Sequence, residues 1–151
     1  MRDYIKWIGL VLLACVTAAG LADTARAEIN GLPPVRESDA FHEYKKRSPS
    51  ELSRILYLID RFKGTKIEVL YEGTFYNTQV AVPIARWFLA VNYKKQTAEQ
   101  WVKQYCTSTF SYGIPIRLKL PDNTFRSSRD LLLEELADLK KAEAEDEQRT
   151  V

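Results

Sequence analysis

His42 is the single histidine of this 151-residue chain, and Cys106 and Cys15 are its two cysteines. A cysteine nucleophile needs an imidazole held against it and a setting that favours thiolate. His42 stands among Phe41, Glu43 and Tyr44 in a stretch without apolar periodicity, which offers no scaffold to fix the ring. Cys106, near Val102, Tyr105 and Phe110, has the surroundings of a buried, inert thiol. One histidine and one cysteine also make no conventional zinc site, although carboxylates could weakly hold a harder ion. Glu68 and Glu72 fall on one face of a predicted strand, about 13 Å apart by the strand rise, wider than a glycosidase carboxylate pair. No G-x-S-x-G, H-E-x-x-H or glycine-rich phosphate loop occurs. No catalytic residue, metal site or cofactor is expected from these residues.

What remains is aromatic. Tyr71, Phe75, Tyr76, Tyr93, Trp101, Tyr105, Phe110 and Tyr112 gather in sequence around Gly73 and Gly113. Tyrosine and tryptophan combine a large apolar body with a polar tip, which suits binding surfaces; the same residues also fill the cores of small domains. The candidate ligand- or partner-binding set is Tyr71, Phe75, Tyr76, Trp101 and Tyr112, with core filling as the competing role.

The elements that must position these rings are readable from local signals. Ser48-Pro49-Ser50-Glu51 supplies an N-cap, a proline for the first turn and a glutamate for a capping box, and Leu52, Ile55, Leu56, Ile59 and Phe62 share a face. A helix over 49–62 follows, stopped by Lys63-Gly64. Residues 66–72 alternate as a strand, Gly73 turns the chain, and 74–76 return. Pro83 inside the apolar run 79–93 predicts a helix starting at that proline, with Ile84, Trp87, Phe88 and Val91 on a common face and burial on more than one side. Thr97-Ala98-Glu99-Gln100 is a second capping box, and the helix it opens carries Trp101, Val102, Tyr105 and Cys106 on its apolar face. Ile114, Ile116, Leu118 and Leu120 alternate with polar or proline neighbours, Pro121-Asp122-Asn123 turns, and 124–126 pair back. Pro115 places that strand near an edge or at a strand start. Ser127 or Ser128 caps a last helix with Leu132, Leu133, Leu136 and Leu139 inward.

The fold class expected is therefore α+β: one small domain over 48–141, with short antiparallel strands at about 66–76 and 114–126 packed by about four helices. Residues 28–47, with Pro33-Pro34 and Lys45-Lys46-Arg47, have the composition of a flexible linker. Residues 142–151 read as an acidic disordered tail.

Ahead of these, 1–27 has the charged start, apolar run and Ala25-Arg26-Ala27 ending of a secretory signal peptide. Leu12-Leu13-Ala14-Cys15 also resembles a bacterial lipobox, so lipidation of Cys15 competes with cleavage after Ala27. Either way the chain is read as periplasmic, freely diffusing or anchored as a lipoprotein, touching membrane only through the leader or Cys15. Removing the leader from 22 basic and 20 acidic side chains leaves 19 against 18, interspersed in sign, which argues against nucleic acid as partner. A protein or small molecule of the cell envelope is the expected partner of a non-catalytic binding or interaction module. An enzyme of unrecognised type using Glu68, Glu72 or Tyr76 is one rival; a structural subunit of an envelope assembly is another.

Taken in order, Tyr71-Glu72-Gly73-Thr74-Phe75-Tyr76, an alanine-containing helix, Thr97-Ala98-Glu99-Gln100-Trp101-Val102 and Ser111-Tyr112-Gly113-Ile114-Pro115-Ile116 resemble the YfeK-like family of small exported bacterial domains, whose function is unknown. The resemblance spans about Glu51 to Lys140 and implies export and a small α+β domain. Members usually carry an arginine-asparagine pair before the turn glycine, where this chain has Tyr71-Glu72. They also carry a histidine and a lysine in the following helix, near Ile84 and Phe88 here. Any site those polar residues form in relatives is, by this resemblance, altered in this chain.

Overall fold

The structure is a computed structural model that describes residues 30–150. The leader predicted over 1–27 and the lipidation candidate Cys15 lie outside the described residues. A 3-10 turn at Val35–Glu37 leads into α1 (Asp39–Lys45) and α2 (Glu51–Asp60). The hairpin β1 (Glu68–Tyr71) and β2 (Thr74–Asn77) is followed by α3 (Thr78–Asn92) and α4 (Ala98–Tyr105). The hairpin β3 (Arg117–Lys119) and β4 (Phe125–Ser127) precedes the long α5 (Ser128–Thr150). This is the expected α+β class, and the two strand pairs join into one antiparallel sheet of order β2-β1-β3-β4.

Local chemistry accounts for the element boundaries. Glu72 and Gly73 both take positive φ, 49° and 80°, the geometry that a two-residue hairpin loop requires. At α4 the capping box is complete: Thr97 accepts from the Gln100 amide at 3.1 Å, and the Gln100 side chain accepts from the Thr97 amide at 3.0 Å. Ser50 rather than Ser48 caps α2, accepting from the Ser53 amide. Glu51 consequently forms no box; its carboxylate accepts from the Ala98 amide at 2.7 Å and ties α2 to the start of α4. Pro115 does sit just ahead of a strand, but β3 is central, paired with β1 on one side and β4 on the other.

α3 begins at Thr78, five residues before Pro83. Asn77 caps it by accepting from the Val80 amide, and the helix runs through the proline. Pro83 and Gln79, whose carbonyl loses its partner, are both exposed, so water can satisfy the freed group. The inward face is also different from the one expected. Val82 and Leu89 are buried, whereas Ile84, Trp87 and Val91 face outward. In a helix apolar on every side, sequence does not say which side meets the core.

Two further corrections concern the ends. Residues 30–47 are not a flexible linker: Leu32, Ala40, Phe41 and Tyr44 are buried in the core, and Ser38 caps α1 by accepting from the Phe41 amide. Nor is 142–151 a disordered tail, since α5 continues to Thr150 and Ala142 is buried. The physical reason is mutual. Arg36 binds Asp146 at 2.6 Å and Glu145 at 3.0 Å, Lys45 binds Asp146 at 2.7 Å, and Arg54 reaches Glu143 at 3.1 Å. The Tyr44 hydroxyl also donates to Glu143, and its burial, followed by that bond, pushes the phenol up to about 12. Charges that look solvated in each segment alone find their partners in the other.

That clasp carries a pH dependence. Hydrogen bonds from Lys45 and then Arg36 hold the Asp146 carboxyl down to about 2, against an ordinary 3.8. A depressed carboxyl contributes stability that is fully present above its unfolded value and is lost as pH falls through the folded one. Protection factors of the 142–150 amides, taken relative to the intrinsic exchange rate at each pH, should therefore stay constant down to about pH 4 and fall toward about pH 2. Asp146→Asn should exchange faster at neutral pH and lose that acid step.

Candidate functional site

Between the sheet and the helices lies a groove of about 460 Å³. The sheet supplies Val69, Tyr71, Tyr76, Ile116 and Leu118 as its floor, which the pairings of Val69 with Tyr76 and with Leu118 put on one face. α2 contributes Ile55, Leu58 and Ile59, with Phe62 just beyond it. α3 contributes Ala81, Ala85 and Phe88, and α4 contributes Trp101, Val102 and Tyr105. Ile84 and Phe110 stand at the mouth, lining the groove while 54 % and 86 % exposed.

The wall on the helix side is an aromatic trio. Phe88 meets Trp101 at 5.9 Å and Tyr105 at 5.2 Å in edge-on contacts, and Trp101 meets Tyr105 at 4.5 Å. Such offset arrangements fix ring positions beyond what area burial alone does. Thr97 and its box start α4 so that Trp101 lines the groove, and the Glu51 carboxylate locks the same helix end against α2. The trio is thus held by two independent hydrogen-bonded devices.

Polar groups in the lining are few. Thr78, Gln104, Ser108 and Ser128 are the non-aromatic ones, and Thr78 already donates to the Thr65 carbonyl at 3.1 Å. The lining contains no Asp, Glu, Lys, Arg or His. Cys106 lies here too, and burial pushes its thiol up to about 12, which leaves it protonated and unreactive at neutral pH. His42 is exposed on α1.

Of the five binding candidates, Tyr71, Tyr76 and Trp101 converge on the groove. Phe75 and Tyr112 do not line it. Phe75 belongs to the other face of the sheet, where its ring lies 6.2 Å from that of Phe125 and beneath the Lys119 ammonium. Tyr112 is 76 % exposed in the loop before β3. Alternation along β2 settles the first difference, since Phe75 and Tyr76 necessarily point to opposite faces. Phe62 and Phe88 complete the aromatic lining, and in sequence they were visible only as members of apolar helix faces.

The carboxylates of the enzymatic rival do not meet Tyr76. Glu68 is on the face away from the groove, paired with Lys119 at 2.9 Å, and Glu72 is exposed in the hairpin turn. Among the described residues no group of three or more His, Cys, Asp or Glu is placed to hold a metal ion, and no helix is long and apolar enough to cross a membrane. The chain matches no family model, and no curated protein or solved structure matches it significantly.

Proposed function

We propose that this domain is a non-catalytic binding module of the bacterial cell envelope that holds an apolar small molecule, of the acyl-chain type, in the groove between sheet and helices. The single observation that carries this reading is the groove itself: open, aliphatic and aromatic, and free of acidic or basic lining groups. Its volume falls in the range of small-molecule sites, which are mostly apolar with a few polar groups that fix orientation. Gln104 and Ser108 are the groups available for a polar ligand end. A charged ligand portion has no counter-ion inside, and burying it there would be costly.

Export and a periplasmic setting belong to the same reading, supported by the leader pattern of 1–27. Kinship with the YfeK-like domains is a further part of it. Tyr71, Ile84 and Phe88, at three of the four places where those domains usually carry polar residues, line the groove, while the fourth, Glu72, is exposed in the hairpin turn.

A fluorescent polyene fatty acid is a suitable probe. It should bind saturably at one site, with energy transfer from Trp101. Ala85→Trp, which puts an indole into the groove, should weaken binding by about tenfold or more, a loss of roughly 1.4 kcal/mol, while the unfolding midpoint stays close to that of the parent. Absence of saturable binding by the parent protein, or equal binding by Ala85→Trp, would refute the reading.

A further inference from the structure

We infer that the outer face of α3 is a docking surface for an anionic lipid bilayer, with Trp87 entering the headgroup layer. Val80, Ile84, Trp87 and Val91 are 45 %, 54 %, 65 % and 62 % exposed. At 100° per residue they fall within an arc of about 60°, diametrically opposite the buried Val82 and Leu89. Scattered exposed apolar residues need no explanation, but a continuous helical stripe of four, one of them a tryptophan, does. None of the other described elements covers it.

Charge identifies the occupant. From Gly73 to Pro121 the chain has six basic residues and one acidic, Glu99, although the whole chain is nearly balanced. α3 itself contains no acidic residue. Arg86, Lys103 and Lys119 are engaged with Asp60, Glu99 and Glu68. Lys94 and Lys95, which follow α3 within a turn of Val91, are exposed and in no ion pair. An apolar stripe lacking anions and ending in free lysines is the pattern of a helix lying in the plane of a bilayer interface. A second copy of the chain would bring the same cations face to face, which disfavours self-pairing through this surface.

The stripe also borders the groove. Ile84 belongs to both, so a bilayer docked on α3 lies beside the groove mouth and supplies apolar ligands without passage through water. The docking itself rests on the stripe and the charges, and stands whether or not the groove is filled.

The experiment uses the full chain with vesicles of phosphatidylcholine alone or mixed with phosphatidylglycerol, some with brominated acyl chains. The expected result is salt-sensitive binding to the mixed vesicles, with bromine quenching of the emission component that Trp87→Phe removes. Lys94→Gln with Lys95→Gln should weaken binding to the mixed vesicles by about 30-fold. Ile84→Ser with Val91→Ser should abolish the quenching; both positions are exposed, and an unchanged unfolding midpoint verifies the fold. Ala85→Trp should still bind vesicles, so loss of polyene binding without loss of docking separates the two proposals. Unquenched Trp87, or vesicle binding indifferent to both double substitutions, overturns the inference. So does a concentration-dependent dimer that the Ile84 and Val91 substitutions dissociate, in the absence of vesicle binding.

Discussion

Glu135→Ala should destabilise the domain by about 3–5 kcal/mol, measured as the shift in a reversible denaturant midpoint. Glu135 on α5 and Arg61 at the end of α2 form an ion pair of 2.6 Å, with side chains only 7 % and 2 % exposed. Arg61 also donates to the Pro33 carbonyl at 2.7 Å, and its guanidinium lies 5.9 Å from the Tyr57 ring centre. One cation thereby joins α2, α5 and the segment before the first turn. Truncating Glu135 leaves that cation buried without its counter-charge, and the desolvation cost is no longer offset. The pair as a whole is a different matter, since well-packed apolar replacements of buried ion pairs are often neutral or better. Arg61→Met with Glu135→Leu should therefore recover most of the loss. A single substitution costing under about 1 kcal/mol would mean that water reaches the pair.

The second large effect is Phe41→Ala, expected to cost about 3–5 kcal/mol in the same assay, as for other buried phenylalanines. Phe41 is 5 % exposed, stacks on Tyr44 at 6.4 Å, and belongs to the cluster that includes Tyr57, Trp101 and Leu136. Were 28–47 a flexible linker, the substitution would change nothing. Ile55, Trp101 and Leu132 belong both to the Phe41 cluster and to the groove lining, so a cavity at Phe41 should loosen the groove's helix wall.

The differences between sequence and structure have specific origins. The Thr97 box, the helix expected over 49–62 and found over 51–60, and the alternation expected over 114–120, which holds from Ile116 to Leu120 while Ile114 is exposed, were legible because each is decided by groups within a few residues. α1 was missed although its signals were present: Ser38 is a good N-cap, and Ala40, Phe41 and Tyr44 lie on one helical face. Seven residues are too few to stand out against Pro33-Pro34 before them and Lys45-Lys46-Arg47 after. The end of α5 has almost no apolar pattern, and its order comes from ion pairs about 100 residues away, which no local window contains.

For the site, Tyr71, Tyr76 and Trp101 were identifiable only within a set of five that also held Phe75 and Tyr112, because the elements were predicted and aromatic residues cluster on and around them. Phe88 and Ile84 could not be assigned to groove or core, because α3 is apolar around most of its circumference. Which flank became the groove wall and which was left bare depended on where α2 and α4 pack, and that is fixed only in three dimensions.

The clasp between Arg36 and Asp146 joins positions 110 residues apart. Closing so long a loop is entropically unfavourable until many other contacts are in place, so it belongs to the last steps of folding. A nascent chain cannot make it before the final turns of α5 have been synthesised. The native topology is therefore sealed from its two ends, and a chain caught before that point lacks the partners that order α1 against α5.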